Sequence, residues 1–145
     1  MFASSLYNSF GKKLFDSSTK IVFGSDTIKI ALCNSSYTPD RDAHDFFDDI
    51  TNEVSGTGYS AGGATLANVS VTQDNTNDRI TIDADDASWS SSSIANARYA
   101  IIYKSTGTAS TSPLIAVIDL GSNRSSSLSN FVIQFNASGI IRLSL

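Results

Sequence analysis

The spacing of strand-like runs constrains this chain more than any other feature. Beyond residue 63, apolar or alternating runs recur at Ala64–Thr72, Arg79–Ala84, Ala97–Lys104, Leu114–Leu120, Asn130–Asn136 and Ile140–Leu143. The polar stretches between them, residues 73–78, 85–93, 105–113 and 121–129, are too short to hold crossover helices. Parallel βαβ units are therefore excluded, and antiparallel neighbours remain. Two earlier runs, Lys20–Phe23 and Thr27–Cys33, flank the turn Gly24-Ser25-Asp26 and bring the count to about eight. In the second of these, Ile28, Ile30 and Leu32 share one face, and Lys29, Ala31 and Cys33 share the other. The last two runs meet at Ala137-Ser138-Gly139 and read as a hairpin. The expected fold class is mainly β: an antiparallel β-sandwich or small barrel of about eight strands, with one short helix and an N-terminal arm.

The helical pattern is confined to two places. Asp40–Ile50 carries Ala43, Phe46, Phe47 and Ile50 on one side, and Asp40 or Asp42 stands where a helix N-cap belongs. In the first residues, Leu6, Tyr7, Phe10 and Leu14 recur near a 3.6 period, weakened by Gly11. The domain expectation is an N-terminal arm over residues 1–19 and a single β-rich domain over residues 20–145. The arm's aromatics, Phe2, Tyr7, Phe10 and Phe15, need burial against their own domain or a neighbouring subunit.

Composition narrows the partners. The 145 residues suit one domain. Charged residues make up only 17%, the net charge is −4, and serine, threonine and asparagine fill the polar surface. A duplex nucleic-acid binder needs a basic face to displace counterions, so direct nucleic-acid binding is not expected. Lys12, Lys13 and Lys20 form at most a small basic patch on a solvated arm. No run reaches the length of a membrane-spanning helix, and the first residues lack an apolar signal segment. Synthesis in a cytoplasm and no membrane partner are therefore expected. Cys33, in an apolar strand pattern, reads as a buried thiol; as the single cysteine it has no intrachain partner.

No residue set supports turnover. His44 is the one histidine, and no Gly-x-Ser-x-Gly elbow accompanies it. Zinc sites use several His or Cys ligands, which this chain cannot supply. The acidic runs at Asp40/Asp42 and Asp83/Asp85/Asp86 do not match a calcium loop, and turn or cap roles explain them. Phosphate-binding glycine motifs are absent. No catalytic residue, cofactor or metal is expected.

The most distinctive segment is Asn52 to Leu66, with Gly56, Gly58, Gly62 and Gly63 within eight positions. Gly56 and Gly58 are expected to set turns, and Gly62 and Gly63 to permit close packing before Leu66 enters the core. The shaped surface faces either the chain's own domain or a neighbour. Phe2, Leu6, Tyr7, Phe10, Tyr37, Tyr59 and Trp89 are the interface candidates. Trp89, just ahead of Arg98–Tyr103, reads as a lid on the core or an anchor at a contact.

Several segments together resemble a known group. They are Ile28-Lys29-Ile30-Ala31-Leu32, Ser35-Ser36-Tyr37-Thr38-Pro39, His44-Asp45-Phe46-Phe47-Asp48-Asp49 and the whole run from Asn52 to Leu66. Asp85-Asp86-Ala87-Ser88-Trp89, Ala97 to Tyr103 and Asn136-Ala137-Ser138-Gly139 extend the likeness. The chain resembles small structural proteins of tailed bacteriophages. The resemblance implies a virion protein made in the host bacterial cytoplasm, with no catalytic residues to carry over. A capsid decoration or cement protein, bridging subunits of the major capsid protein, is the first expectation. It would be a homo-oligomer, with a trimer suiting local threefold positions. The alternatives are a neck, tail or baseplate component, contacting other virion proteins, and a host-surface carbohydrate-binding module using Tyr37, Tyr59 and Trp89 as stacking surfaces. A wall hydrolase is the third class.

Overall fold

The computed structural model describes residues 3–145, so the interface candidate Phe2 lies outside the described residues. The plan follows from β2 (Thr27–Asn34). Ile28, Ile30 and Leu32 enter the main core, while Ala31 and Cys33 on its other face enter a second buried cluster. A strand buried on both faces belongs to the middle of a layered structure. β8 (Ala97–Ser105) and β9 (Leu114–Arg124) follow the same rule, which explains their continuous apolar runs at Ala100 to Tyr103 and Leu114 to Ile118.

The remaining strands are β1 (Ala3–Leu6), β3 (Gly56–Thr57), β4 (Ala64–Thr65), β5 (Ser70–Asp74), β6 (Arg79–Asp83), β7 (Ala87–Ile94), β10 (Ser129–Ile133) and β11 (Ile141–Ser144). One α-helix, α1 (Asn8–Lys13), completes the regular elements, with two short 3₁₀ turns. A five-stranded sheet runs β1-β9-β8-β2-β4, and two three-stranded sheets run β10-β7-β3 and β11-β6-β5. All pairings are antiparallel. The inner face of the large sheet packs on both small sheets, joining Ile30, Ile102 and Ile118 to Ile82, Trp89, Phe131 and Ile141 in one core. This is the mainly β, antiparallel, sandwich-like fold that the strand spacing predicts. The outer face is covered by residues 34–53, which contribute Tyr37, Phe47 and Ile50 to the second cluster.

Five local expectations are corrected. Asp40–Ile50 is not a helix. The Asp40 carboxylate accepts the N–H groups of Asp42 and Ala43, and Asp49 accepts those of Asp45 and Phe46. Local capping of this kind competes with the helical ladder. Phe46 is extended and bridges Pro113, and only Phe47–Asp49 closes a 3₁₀ turn. Lys20–Phe23 is irregular backbone, not a strand, although Ile21 and Phe23 are buried. Residues 85–93 are not a connector, because β7 occupies most of them. Ala64–Thr72 is interrupted around Asn68, whose φ is +52°, and contributes β4 and part of β5. The final two strands are not a hairpin: β10 pairs with β7, and β11 pairs with β6.

The first residues also differ from an arm awaiting a partner. β1 pairs with β9 through Ala3↔Asp119 to Leu6↔Ala116, and the Tyr7 N–H continues that ladder to the Ile115 carbonyl. Tyr7 and Phe10 are 1% exposed within their own chain. Lys13 is not part of a solvated patch; its side chain is buried. Phe15, by contrast, is 86% exposed.

Candidate functional site

The glycine-rich segment joins the large sheet to a small one. Its β3 pairs with β7, and its β4 pairs with β2. Two glycines make these approaches possible. A Cβ on Gly63 would lie 1.9 Å from the Ile30 carbonyl oxygen, and one on Gly56 would lie 2.0 Å from that of Ser93. Both contacts are with strand backbone, so no side chain fits. Gly58 and Gly62 also have positive φ, with less severe contacts. Gly56 and Gly63 therefore pack on strands of their own domain, while Ser55 to Gly58, Ser60 and Ala61 are exposed.

Glu53, placed beside Cys33 by an isolated bridge, organises the segment. Its Oε1 accepts the Tyr59 hydroxyl and the Gly62 N–H, each at 2.6 Å. The Tyr59 oxygen in turn accepts the Leu32 N–H at 2.9 Å, and the Tyr103 hydroxyl donates to the Gly62 carbonyl at 2.7 Å. Burial, then the bond to Glu53, raises the Tyr59 phenol well above its ordinary value. The Tyr59 ring stacks beside Trp89, and Trp89 meets Phe131 edge-on. Sequence reasoning overlooked Glu53. Its signal was present: it is the one charged residue between Asn52 and Leu66.

A second polar chain runs beneath the cover of the large sheet. The Asp40 N–H donates to Nδ1 of His44 at 3.3 Å, which makes that nitrogen the acceptor. Tyr37 therefore donates to the same nitrogen at 2.9 Å, and Tyr7 donates to Tyr37 at 2.9 Å. Burial pushes the Tyr37 phenol up to about 12, and raises Tyr7 further. Nearby, the Lys13 ammonium donates to the Asp45 carbonyl and sits 3.8 Å from the centre of the Phe46 ring. Burial lowers its pKa, opposed by Asp45 and Asp49. These groups tie α1 to the covering segment. His44 serves as a hydrogen-bond acceptor in that tie.

Most of the interface candidates are core residues. Tyr7, Phe10, Tyr37 and Trp89 are at most 5% exposed, and Tyr59 is partly buried against Trp89. Tyr37, Tyr59 and Trp89 consequently offer no shared stacking face for a sugar. The acidic runs bind protein groups: Asp85 accepts from Asn68, and Asp86 from the Phe135 N–H. Among the described residues, no three His, Cys, Asp or Glu side chains gather in a metal-holding group, and no helix is long and apolar enough to cross a membrane.

Leu6 is the exception among the candidates. It lines a groove of about 540 Å³ between the β1–β9 edge of the large sheet and residues 134–142. Ala116 and Ile118 line its sheet side, facing Phe135, Ile140 and Ile141. Arg142 stands on the second wall. Its lining mixes these apolar side chains with Ser4, Gln134 and Asn136, beside the edge strand β1, a form suited to holding another chain. No protein-family model matches this chain, and no curated protein or solved structure matches it at a significant level.

Proposed function

We propose that this chain is a non-enzymatic structural protein of a tailed-phage particle, and specifically a capsid decoration or cement protein. The observation that carries the reading is the division of labour between interior and edge. The residue types best suited to chemistry, His44, Glu53 and Lys13, are spent on intrachain bonds that brace the fold. The groove described above lies beside β1, an edge strand of the large sheet. Binding energy is the work such a surface performs, and the resemblance to phage structural proteins supplies the setting. Bridging of neighbouring capsid subunits would resist the pressure of packaged DNA. A closed trimer would repeat the same contact around a local threefold axis.

Co-sedimentation with capsid shells assembled from the same phage's major capsid protein tests this reading. Saturable binding at a fixed ratio, with a rise in the shell's melting temperature, is the expected result. Failure to bind shells, together with binding to isolated tails or necks, transfers the protein to the neck, tail or baseplate class. Binding to neither removes the virion-contact reading.

A further inference from the structure

The polar chain beneath the cover of the large sheet is complete only while the His44 ring is neutral. Nδ1 accepts the Tyr37 hydroxyl at 2.9 Å and the Asp40 N–H at 3.3 Å, and Tyr37 accepts the Tyr7 hydroxyl at 2.9 Å. Each of these three protons therefore has an acceptor. Among the described residues, the Tyr7 hydroxyl has no hydrogen-bond partner other than Tyr37. A proton added at Nδ1 turns that nitrogen from acceptor into donor. The Asp40 N–H then faces another N–H. If Tyr37 sends its own proton to Tyr7, the Tyr7 proton loses its acceptor. If Tyr7 keeps its direction, the Tyr37 proton loses it instead. In either case one phenol donor is unsatisfied on a side chain that is 1% exposed. A buried donor without an acceptor carries its full desolvation cost.

The charges around the ring do not restore that acceptor. Asp40, on the same segment, attracts an imidazolium, but its carboxylate is exposed and already accepts the Asp42 and Ala43 N–H groups, so water weakens the attraction. Arg41 and Asp42 are engaged with the Leu6 carbonyl and the Asn8 amide, and Asp48 is exposed. Asp49, from the cover, and Cys33, from β2, face the two phenols. From α1, Lys13 faces Asp45 and Asp49. From β8, the Tyr99 ring meets Tyr37 edge-on, with the Arg98 guanidinium beside it and paired with Asp119 of β9. We propose that Tyr7, Tyr37 and His44 form an acid-sensitive latch. The neutral ring holds residues 34–53 over the outer face of the large sheet, and protonation of His44 releases them. An imidazole in water takes up its proton at about pH 6.5. The closed form resists that proton and the released form accepts it, so closure is favoured above this pH and is lost as pH falls through it. The latch needs no partner and does not rest on the virion reading.

Cys33 supplies the readout, because it is the one cysteine of the chain, lies beneath the cover and is 0% exposed. The full chain is labelled with a dithiodipyridine, and the rate is divided by that of the urea-unfolded chain at the same pH. Between about pH 7.5 and about pH 5.5 the carboxylates stay largely ionised, and His44 is the one histidine. The normalised rate should rise about tenfold over that interval, the full response of one imidazole proton. In His44→Asn the side-chain oxygen can accept the same two donors and cannot titrate, so the rate should stay within about twofold. The wild-type imidazole nitrogen NMR spectrum is the second measurement, and it stands even if the variant fails to fold. At about pH 7.5 it should place the ring proton on Nε2 and none on Nδ1. A ring protonated at Nδ1, an unchanged wild-type rate, or an equal rise in the variant would overturn the proposal. So would labelling that small amounts of urea accelerate steeply, which would assign it to unfolding of the whole chain.

Discussion

Replacing Gly63 with alanine tests the structural role of the glycine-rich segment. The backbone at Gly63 has φ +74°, and the added Cβ would lie 1.9 Å from the Ile30 oxygen and 2.6 Å from the Ala31 Cα. A carbon normally keeps about 3.3 Å from a carbonyl oxygen, so one strand must retreat by more than an ångström. The left-handed backbone alone costs an alanine about 1 to 2 kcal/mol. The retreat also loosens the pairing of Lys29 and Ile30 with Thr65 and Ala64, and the bonds from Gly62 to Glu53 and Tyr103. Those losses add about 1 kcal/mol each, and more for the charged one. The expected destabilisation is about 4 kcal/mol, a large share of a small domain's stability. Gly121→Ala is the internal control. Its φ is +77°, but nothing lies within 4 Å of the added atom. It should lose only the conformational part, about 1 to 2 kcal/mol. Equilibrium urea unfolding with a common m-value measures both. Losses within about 1 kcal/mol of each other would refute the close-approach argument.

Three further outcomes follow from named contacts. Lys13→Glu should destabilise by about 3 to 5 kcal/mol in the same assay, because it buries a carboxylate near Asp45 and Asp49; a loss under about 1 kcal/mol would show that the site is open to water. Deleting residues 1–15 should abolish the cooperative transition, since Tyr7, Phe10 and β1 belong to the chain's own core; a well-folded truncated protein would restore the independent arm. The buried phenols have folded values raised above the unfolded value of about 10. Their stabilisation is therefore complete below about pH 10 and is lost as pH rises toward the folded values, about 12 for Tyr37 and Tyr103. Phenolate absorbance should show Tyr7, Tyr37, Tyr59 and Tyr103 still protonated near pH 10 in the folded protein, with urea midpoints falling above it; full ionisation of those four without unfolding would contradict the burial.

The large sheet was legible because its residues obey simple rules. Ile28, Ile30 and Leu32 alternate as a buried face must, and the short connectors force antiparallel neighbours. β7 was hidden by its own irregularity. Ser91 has φ +47°, and the pairing with β10 shifts between Ser129 and Phe131. The bulge breaks the period of two, so Trp89 and Ser92 are both buried within a run of serines that reads as a loop. At residues 40–50, the spacing of Ala43, Phe46, Phe47 and Ile50 reported burial only in part: the last three are half-buried and Ala43 is exposed. It could not report that Asp40 and Asp49 would capture the backbone N–H groups a helix needs. The strand partners of β10 and β11 were equally hidden, because Ala137-Ser138-Gly139 suits a tight turn whether or not its flanking strands pair. The groove combines residues near positions 4, 117 and 140, a juxtaposition that only the β1–β9 pairing and the return of residues 134–142 create. Leu6 was singled out from sequence for a helical spacing; it reaches the groove from a strand.

The virion reading requires that a tailed phage encode this chain, and it is tested most directly by locating and counting the chain in purified particles of such a phage, through a single-particle density map. The account predicts density for its sandwich-like fold on the outer surface of the head, in regular contact with the major capsid protein and at a copy number comparable to it. A map that places it only at the neck or tail would contradict the decoration assignment. Its absence from the intact particle would contradict the virion assignment itself.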